Sequence, residues 1–239
     1  MIKAVLFDLD NTLMDFMSMK RAGVDAAVTA MLDAGLPIAR EEAEQRIYAI
    51  YHDKGIEYQE VFDRFLERFP SPQPKLLAAA VSAYRKARTH HLQTYSGIRE
   101  TLVGLIKRGI LLGVVSDAPQ KQAWSRLTDT GLEVFFDAVV AFEDTGKLKP
   151  DPLPFKTAMG RLGVTAAQTI MVGDWPERDM RGAAALGVIT IFARYGTTFD
   201  IHQSGADYEL KRPIDLLEIV DKLGVPRNVP PLSGQENLL

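Results

Sequence analysis

Cysteine is absent from this 239-residue chain, which excludes disulfides and thiolate metal ligands and fits a reducing compartment. Long apolar runs are absent too: none approaches the ~20 residues of a membrane span. The chain enters a strand almost at once, with no signal peptide read before it, so the expected location is cytoplasmic. A large excess of charge of one sign is also missing. The formal charge is -3, with 28 basic and 31 acidic side chains, and no clustered basic face is visible. That argues against nucleic acid or an anionic membrane as partner. No internal repeat or low-complexity segment is found. At this length, most of the apolar surface can be buried in one large domain, or in a core domain with a smaller insert.

What is present is organised around the first thirteen residues. Ile2, Ala4, Val5, Leu6 and Phe7 form an apolar run broken only by Lys3. Such a run reads as a strand covered on both faces, the mark of a parallel sheet. It stops at Asp8-Leu9-Asp10-Asn11-Thr12. Two carboxylates just beyond a buried strand are poor core residues, since burying either charge unpaired costs several kcal/mol, an order-of-magnitude figure. In open α/β sheets ligands bind at the carboxyl ends of the strands. The first strand is therefore expected to deliver two acids to a site.

Further along, the period changes. Residues 14–93 carry four helical patterns, at about 16–34, 40–52, 59–69 and 75–91, with no strand between them, and read as a helical insert. Phe62, Phe65 and Phe69 are expected to form its core. Lys20, Arg21, His52, Lys54 and Tyr58 are candidates to reach a substrate, with solvated helix faces the preferred reading for each. From Tyr95 onward helices and strands alternate. Strands are expected at 110–115, 135–140, 169–172 and 188–192, with a weaker one near 206–210. The alternation predicts a doubly wound, Rossmann-like parallel-sheet core of the α/β class, made of residues 1–13 and 94–225. Residues 226–239 read as a flexible tail.

Each core strand ends in polar residues at the same rim: Asp8 and Asp10, then Ser116 and Asp117, then Lys149 in the following loop, then Asp174 with Asp179. Like charges ~4 Å apart at an effective dielectric near 20 cost on the order of 4 kcal/mol per pair. Lys149 alone cannot offset several such pairs. Hard oxygen ligands point instead to Mg²⁺, completed by substrate phosphate and water.

On these residues the chain resembles the haloacid dehalogenase superfamily of phosphohydrolases. The matching motifs are Asp8-Leu-Asp10-Asn-Thr12-Leu, Val115-Ser116-Asp117, Lys149-Pro150-Asp151-Pro152, and Gly173-Asp174 with Asp179. The insert is similar to the cap of its capped members. The resemblance implies hydrolysis of a small phosphate monoester through an aspartyl-phosphate, with Asp8 as nucleophile and Asp10 as general acid and then base. It implies that Ser116, Asp117 (through its backbone N–H) and Lys149 hold the phosphate. It also implies Mg²⁺ on Asp8, on the backbone carbonyl of Asp10 and on Asp174, with Asp179 as ligand or partner. The implied partner is a small phosphorylated metabolite, and the chain itself is expected to be a monomer or homodimer. Asp117 stands where the family often has Asn, and Trp175 where a small residue is common. Trp175 is read either as a pocket wall or as packing against the loop 143–150.

Bland readings exist beside these. Asp8 and Asp10 suit a turn, Ser116 a helix cap, and Asp179 the opening of a helix. Asp151 is read as a cap, and Gly182 and Gly187 as close-packing positions. Competing chemistries are metal-free 2-haloacid dehalogenation, sugar phosphomutation and, outside enzymes, a phospho-accepting receiver-type domain.

Overall fold

The computed structural model describes residues 1–70 and 73–225, so the expected tail at 226–239 lies outside the described residues. The chain divides into two compact units. One consists of Met1–Leu13 with the described part of residues 94–239; the other is Met14–Gln93.

The first unit is a six-stranded sheet, every pairing of which is parallel: β1 (Ala4–Phe7), β2 (Leu111–Val115), β3 (Ala138–Val140), β4 (Thr169–Gly173), β5 (Ile189–Ala193) and β6 (Tyr208–Leu210). Their spatial order is β3-β2-β1-β4-β5-β6. The chain winds outward from β1 in one direction and then returns to β4 on the other side, which makes the β1/β4 boundary the topological switch point. Every residue of β1 and β4 is buried, as two covered sheet faces require. One face packs Leu6, Met171 and Phe192 against Phe155, Ala158 and Leu162 of a helix at Pro152–Leu162. That helix starts where Asp151 accepts the Leu153 N–H at 2.9 Å, with Pro152 at its first position.

Most strands fall close to the sequence reading. The exception is 135–140, where Glu133–Phe135 is a single 3₁₀ turn and only Ala138–Val140 pairs. The helix expected from Asp179 is also displaced. Pro176–Met180 forms a π-helical turn, and α-helix follows only at Arg181–Ala184. Gly182 does permit close packing, since a Cβ there would meet Phe155 and Pro150. Gly187 does not; it has open space around it and a φ of +78°, so it serves a chain reversal.

Among its described residues the second unit holds four helices: α1 (Phe16–Asp33), α2 (Arg40–Lys54), α3 (Val61–Leu66) and α4 (Pro74–His91). Asp15 caps α1 by accepting the Ser18 N–H at 3.0 Å. Phe62 and Phe65 are buried with Val28, Met31, Ile47 and Leu76, and Phe69 packs on that cluster. The unit's two ends meet where the Asp15 N–H donates to the Gln93 carbonyl at 3.0 Å. Within the first unit, the Tyr95 N–H likewise donates to the Leu13 carbonyl at 3.2 Å. Lys20 departs from the expected solvated face. It is 4% exposed, and its ammonium lies 4.1 Å from the Tyr51 ring centre, with Tyr84 and Phe16 beyond. An aromatic cage replaces the water such a cation would otherwise keep. Among the described residues, no helix is long and apolar enough to cross a membrane.

Candidate active site

The site is built where β1 and β4 end side by side. The Asp8 N–H donates to the Val172 carbonyl at 2.8 Å, carrying the ladder one residue past β1 and fixing where that carboxylate emerges. The chain then reverses. Asn11 has a φ of +57°, a conformation Asn tolerates better than most side chains. Gly196 lies against this turn so closely that a Cβ on it would fall on the Asn11 carbonyl. The Tyr195 hydroxyl donates to the Thr12 carbonyl at 2.9 Å. The loop after β5 therefore clamps the turn that carries Asp10.

From β4 comes Asp174, and the π-helical turn after it brings Asp179 back toward the strand. The Trp175 N–H donates to Asp179 Oδ2 at 3.1 Å. Asp8, Asp174 and Asp179 are all buried, and each offers an oxygen within 4.8 Å of the others. Lys149 enters this cluster as its cation. Its Nζ donates to Asp8 Oδ1, lies 2.7 Å from Asp179 Oδ1, and donates to the Val115 carbonyl at 3.0 Å. The helix-opening reading of Asp179 is thereby replaced, because this carboxylate is 1% exposed and ion-paired.

Three carboxylates and one ammonium leave an excess of negative charge away from water. Burial, together with the Asp179 and Asp10 charges and against the pull of Lys149, pushes the Asp8 carboxyl up to about 8. Burial and the neighbouring Asp8 and Asp179 charges push Asp174 up to about 9. Asp179 is also raised, chiefly by burial. Lys149 moves up despite its burial, because Asp179, Asp8 and Asp117 all favour its charged form. A pocket so short of positive charge, lined with oxygen ligands, suits a hard divalent cation.

Ser116 and Asp117 follow β2. The Ser116 hydroxyl accepts the Ala118 N–H at 3.1 Å, a local turn rather than a helix cap. The helix that follows, Gln120–Asp129, instead has its first N–H held by Glu143 at 2.6 Å. The Asp117 carboxylate braces the Lys149 loop, accepting the Lys149 N–H at 2.8 Å and Arg178 Nη1 at 3.2 Å. Trp175 packs in an aromatic and cationic setting. Its ring lies 4.6 Å from Phe199 and carries the Arg178 guanidinium at 3.8 Å. Sequence reasoning surrounds Asp10 with carboxylates alone and misses Arg126, whose Nη1 donates to Asp10 Oδ2 at 2.6 Å.

A family model described as haloacid dehalogenase-like hydrolase matches residues 5–193. The chain belongs to that family. This hydrolase is 35% identical over 230 residues to the glyceraldehyde 3-phosphate phosphatase of Methanopyrus kandleri, covering 93% of this chain and 99% of the other. It is 30% identical over 234 residues to the ribulose-1,5-bisphosphate 5-phosphatase of Halopiger xanaduensis, covering 94% and 97%. Among solved structures it is similar to an HAD phosphatase from Thermococcus onnurineus, with a TM-score of 0.72 and 27% identity over 91% of this chain and 97% of that one. The hydrolase shares the family's parallel-sheet core, here of six strands.

Proposed function

We propose that this hydrolase is a Mg²⁺-dependent phosphatase of small phosphate monoesters, working through an aspartyl-phosphate on Asp8. The observation that carries the reading is the buried cluster at the switch point, where Lys149 holds Asp8 beside Asp174 and Asp179. Its relatives act in the same sense: several that are 30–35% identical over nearly the whole chain are glyceraldehyde 3-phosphate phosphatases.

Asp8, Asp174 and Asp179 would hold Mg²⁺ together with the Asp10 carbonyl. When bound, the ion neutralises the phosphoryl dianion and aligns it for in-line displacement. Asp8 Oδ attacks phosphorus; the P–O bond to the alcohol breaks as Asp10 gives that oxygen a proton. Asp10, now a carboxylate, takes a proton from water, whose oxygen attacks phosphorus and releases phosphate with Asp8 restored. Lys149 lies against Asp8 from the start, offsets the approach of two negative groups and stabilises the equatorial oxygens. Ser116 retains its O–H as a donor to phosphate, because its observed hydrogen bond uses only the oxygen lone pair. With the Asp117 carboxylate held by the Lys149 loop, only its backbone N–H is left to serve the phosphate. The insert 14–93 is read as the cap that admits substrate and sets specificity.

Turnover of glyceraldehyde 3-phosphate, ribulose 1,5-bisphosphate, pyrophosphate and p-nitrophenyl phosphate, with Mg²⁺ and with EDTA, tests the reading. Mg²⁺-dependent phosphate release from at least one monoester supports it. Halide release from 2-haloacids without metal, and no phosphate release, overturns it.

A further inference from the structure

Arg126 is a charged side chain buried two turns into the Gln120–Asp129 helix. It is only 7% exposed, beside Ala123 and Leu127, in a position where an aliphatic residue would satisfy packing. Burying a guanidinium is costly unless it is paired. It is paired with Asp10, at 2.6 Å from Nη1 to Oδ2. The backbone at Arg126 is anchored as well, since its carbonyl accepts both the Thr130 hydroxyl at 2.7 Å and the Thr130 N–H at 3.1 Å. The same β-strand-to-helix segment thus supplies Ser116 at its start and a partner of Asp10 further along. A rigid helix sets the spacing between the two.

We propose that Arg126 is the positioning residue of the general acid. By tethering Oδ2 of Asp10, it fixes the carboxyl in the rotamer from which a proton taken up on the other oxygen, against the guanidinium's preference for the carboxylate, passes to the leaving oxygen. The inference rests on the phosphatase reading and on Asp10's role in it. Arg126 acts through Asp10 and touches neither phosphate nor alcohol. Its effect should therefore scale with how much the leaving group needs an acid. An alkoxide needs one; p-nitrophenolate, a stable anion, needs little.

The test compares kcat/KM of the wild type, Arg126→Gln and Arg126→Lys on p-nitrophenyl phosphate and glycerol 2-phosphate with saturating Mg²⁺. This ratio covers the steps through alcohol departure, so the later water attack cancels. Acid catalysis contributes roughly 10²–10⁴-fold. Arg126→Gln should lose about 10–100-fold on the alkyl ester and under about 3-fold on the aryl ester. Arg126→Lys, which keeps the charge but not the fork, should recover part of the alkyl loss. Equal losses on both esters, or no loss on either, overturn the proposal. Should Arg126→Gln fail to fold, Arg126→Lys alone decides it by the same alkyl-to-aryl comparison. A wild type that releases phosphate from neither ester nor from any substrate of the panel above removes the phosphatase reading itself, a distinguishable failure.

Discussion

Gly173 and Asp179 meet face to face: a methyl group on the glycine would occupy the space of the Asp179 carboxylate. The last residue of β4 is therefore glycine because the π-helical turn brings an acid back against it. Gly173→Ala should push Asp179 out of the cluster, costing about 1–3 kcal/mol of stability through overpacking. It should also weaken Mg²⁺ binding by about tenfold, the size of effect expected when a metal site's supporting geometry is lost. Calorimetric titration with Mg²⁺ measures this. Wild-type affinity in the variant would contradict the role given to Asp179.

Lys149 is the cation of the cluster, shared by Asp8 and Asp179. Lys149→Met leaves buried acids with no counter-charge, a change that costs about 3–5 kcal/mol when one partner of a buried pair is removed. Denaturant unfolding in EDTA at pH 8 should show the loss. At pH 5 the loss should be smaller, because the acids can then be neutral. Unchanged stability at both pH values would remove Lys149 from the cluster's electrostatics.

The metal-free protein should lose stability as pH rises. Asp8 at about 8 and Asp174 at about 9 lie above the 3.8 of a free side chain. Between the unfolded and folded values, the folded chain keeps protons that the unfolded chain has released. Unfolding stability then falls with pH by about 1.4 kcal/mol per unit for each such group. The contribution is fully present below about pH 4 and lost by about pH 9. Because Mg²⁺ takes the deprotonated ligands, the rise in melting temperature on adding it should grow from pH 5 to pH 9. A pH-independent rise would argue against binding at these acids.

How much of this is legible in the sequence follows from chemistry at particular residues. Acids at Asp8 and Asp174 stand out because each interrupts a buried apolar run, and a parallel sheet brings such ends to one rim. Arg126 gives no such signal. In Gln-Lys-Gln-Ala-Trp-Ser-Arg it reads as one polar helix residue among several, and only the packing of its helix reveals its burial. Lys20 is hidden for the same reason, since its cage is assembled from Tyr51 and Tyr84 on other helices. Asp179 is already legible at the rim beside Asp174, with helix opening as its bland alternative; what stays hidden is the π-helical turn that carries it, which leaves no periodic trace in five residues. Gly196 is legible only once the Asn11 turn it abuts is known.

The clamp on that turn makes a sharp prediction. Gly196→Ala places a Cβ on the Asn11 carbonyl, so the loop after β5 or the Asp10 turn must move. Turnover should fall by about 10²-fold, the scale of loss for ~1 Å misplacement of a reacting group. Steady-state kinetics on p-nitrophenyl phosphate measures it, and full activity would show that the clamp is dispensable.

The central claim is that Asp8 carries the phosphoryl group. Asp10→Asn, mixed with p-nitrophenyl phosphate and Mg²⁺, should form the acyl-phosphate and lack the base that clears it. Acid quench and peptide mass mapping should then find one phosphoryl group on the peptide containing Asp8, absent when Asp8→Asn is added. An unmodified Asp8 peptide during confirmed release of p-nitrophenol would contradict the account.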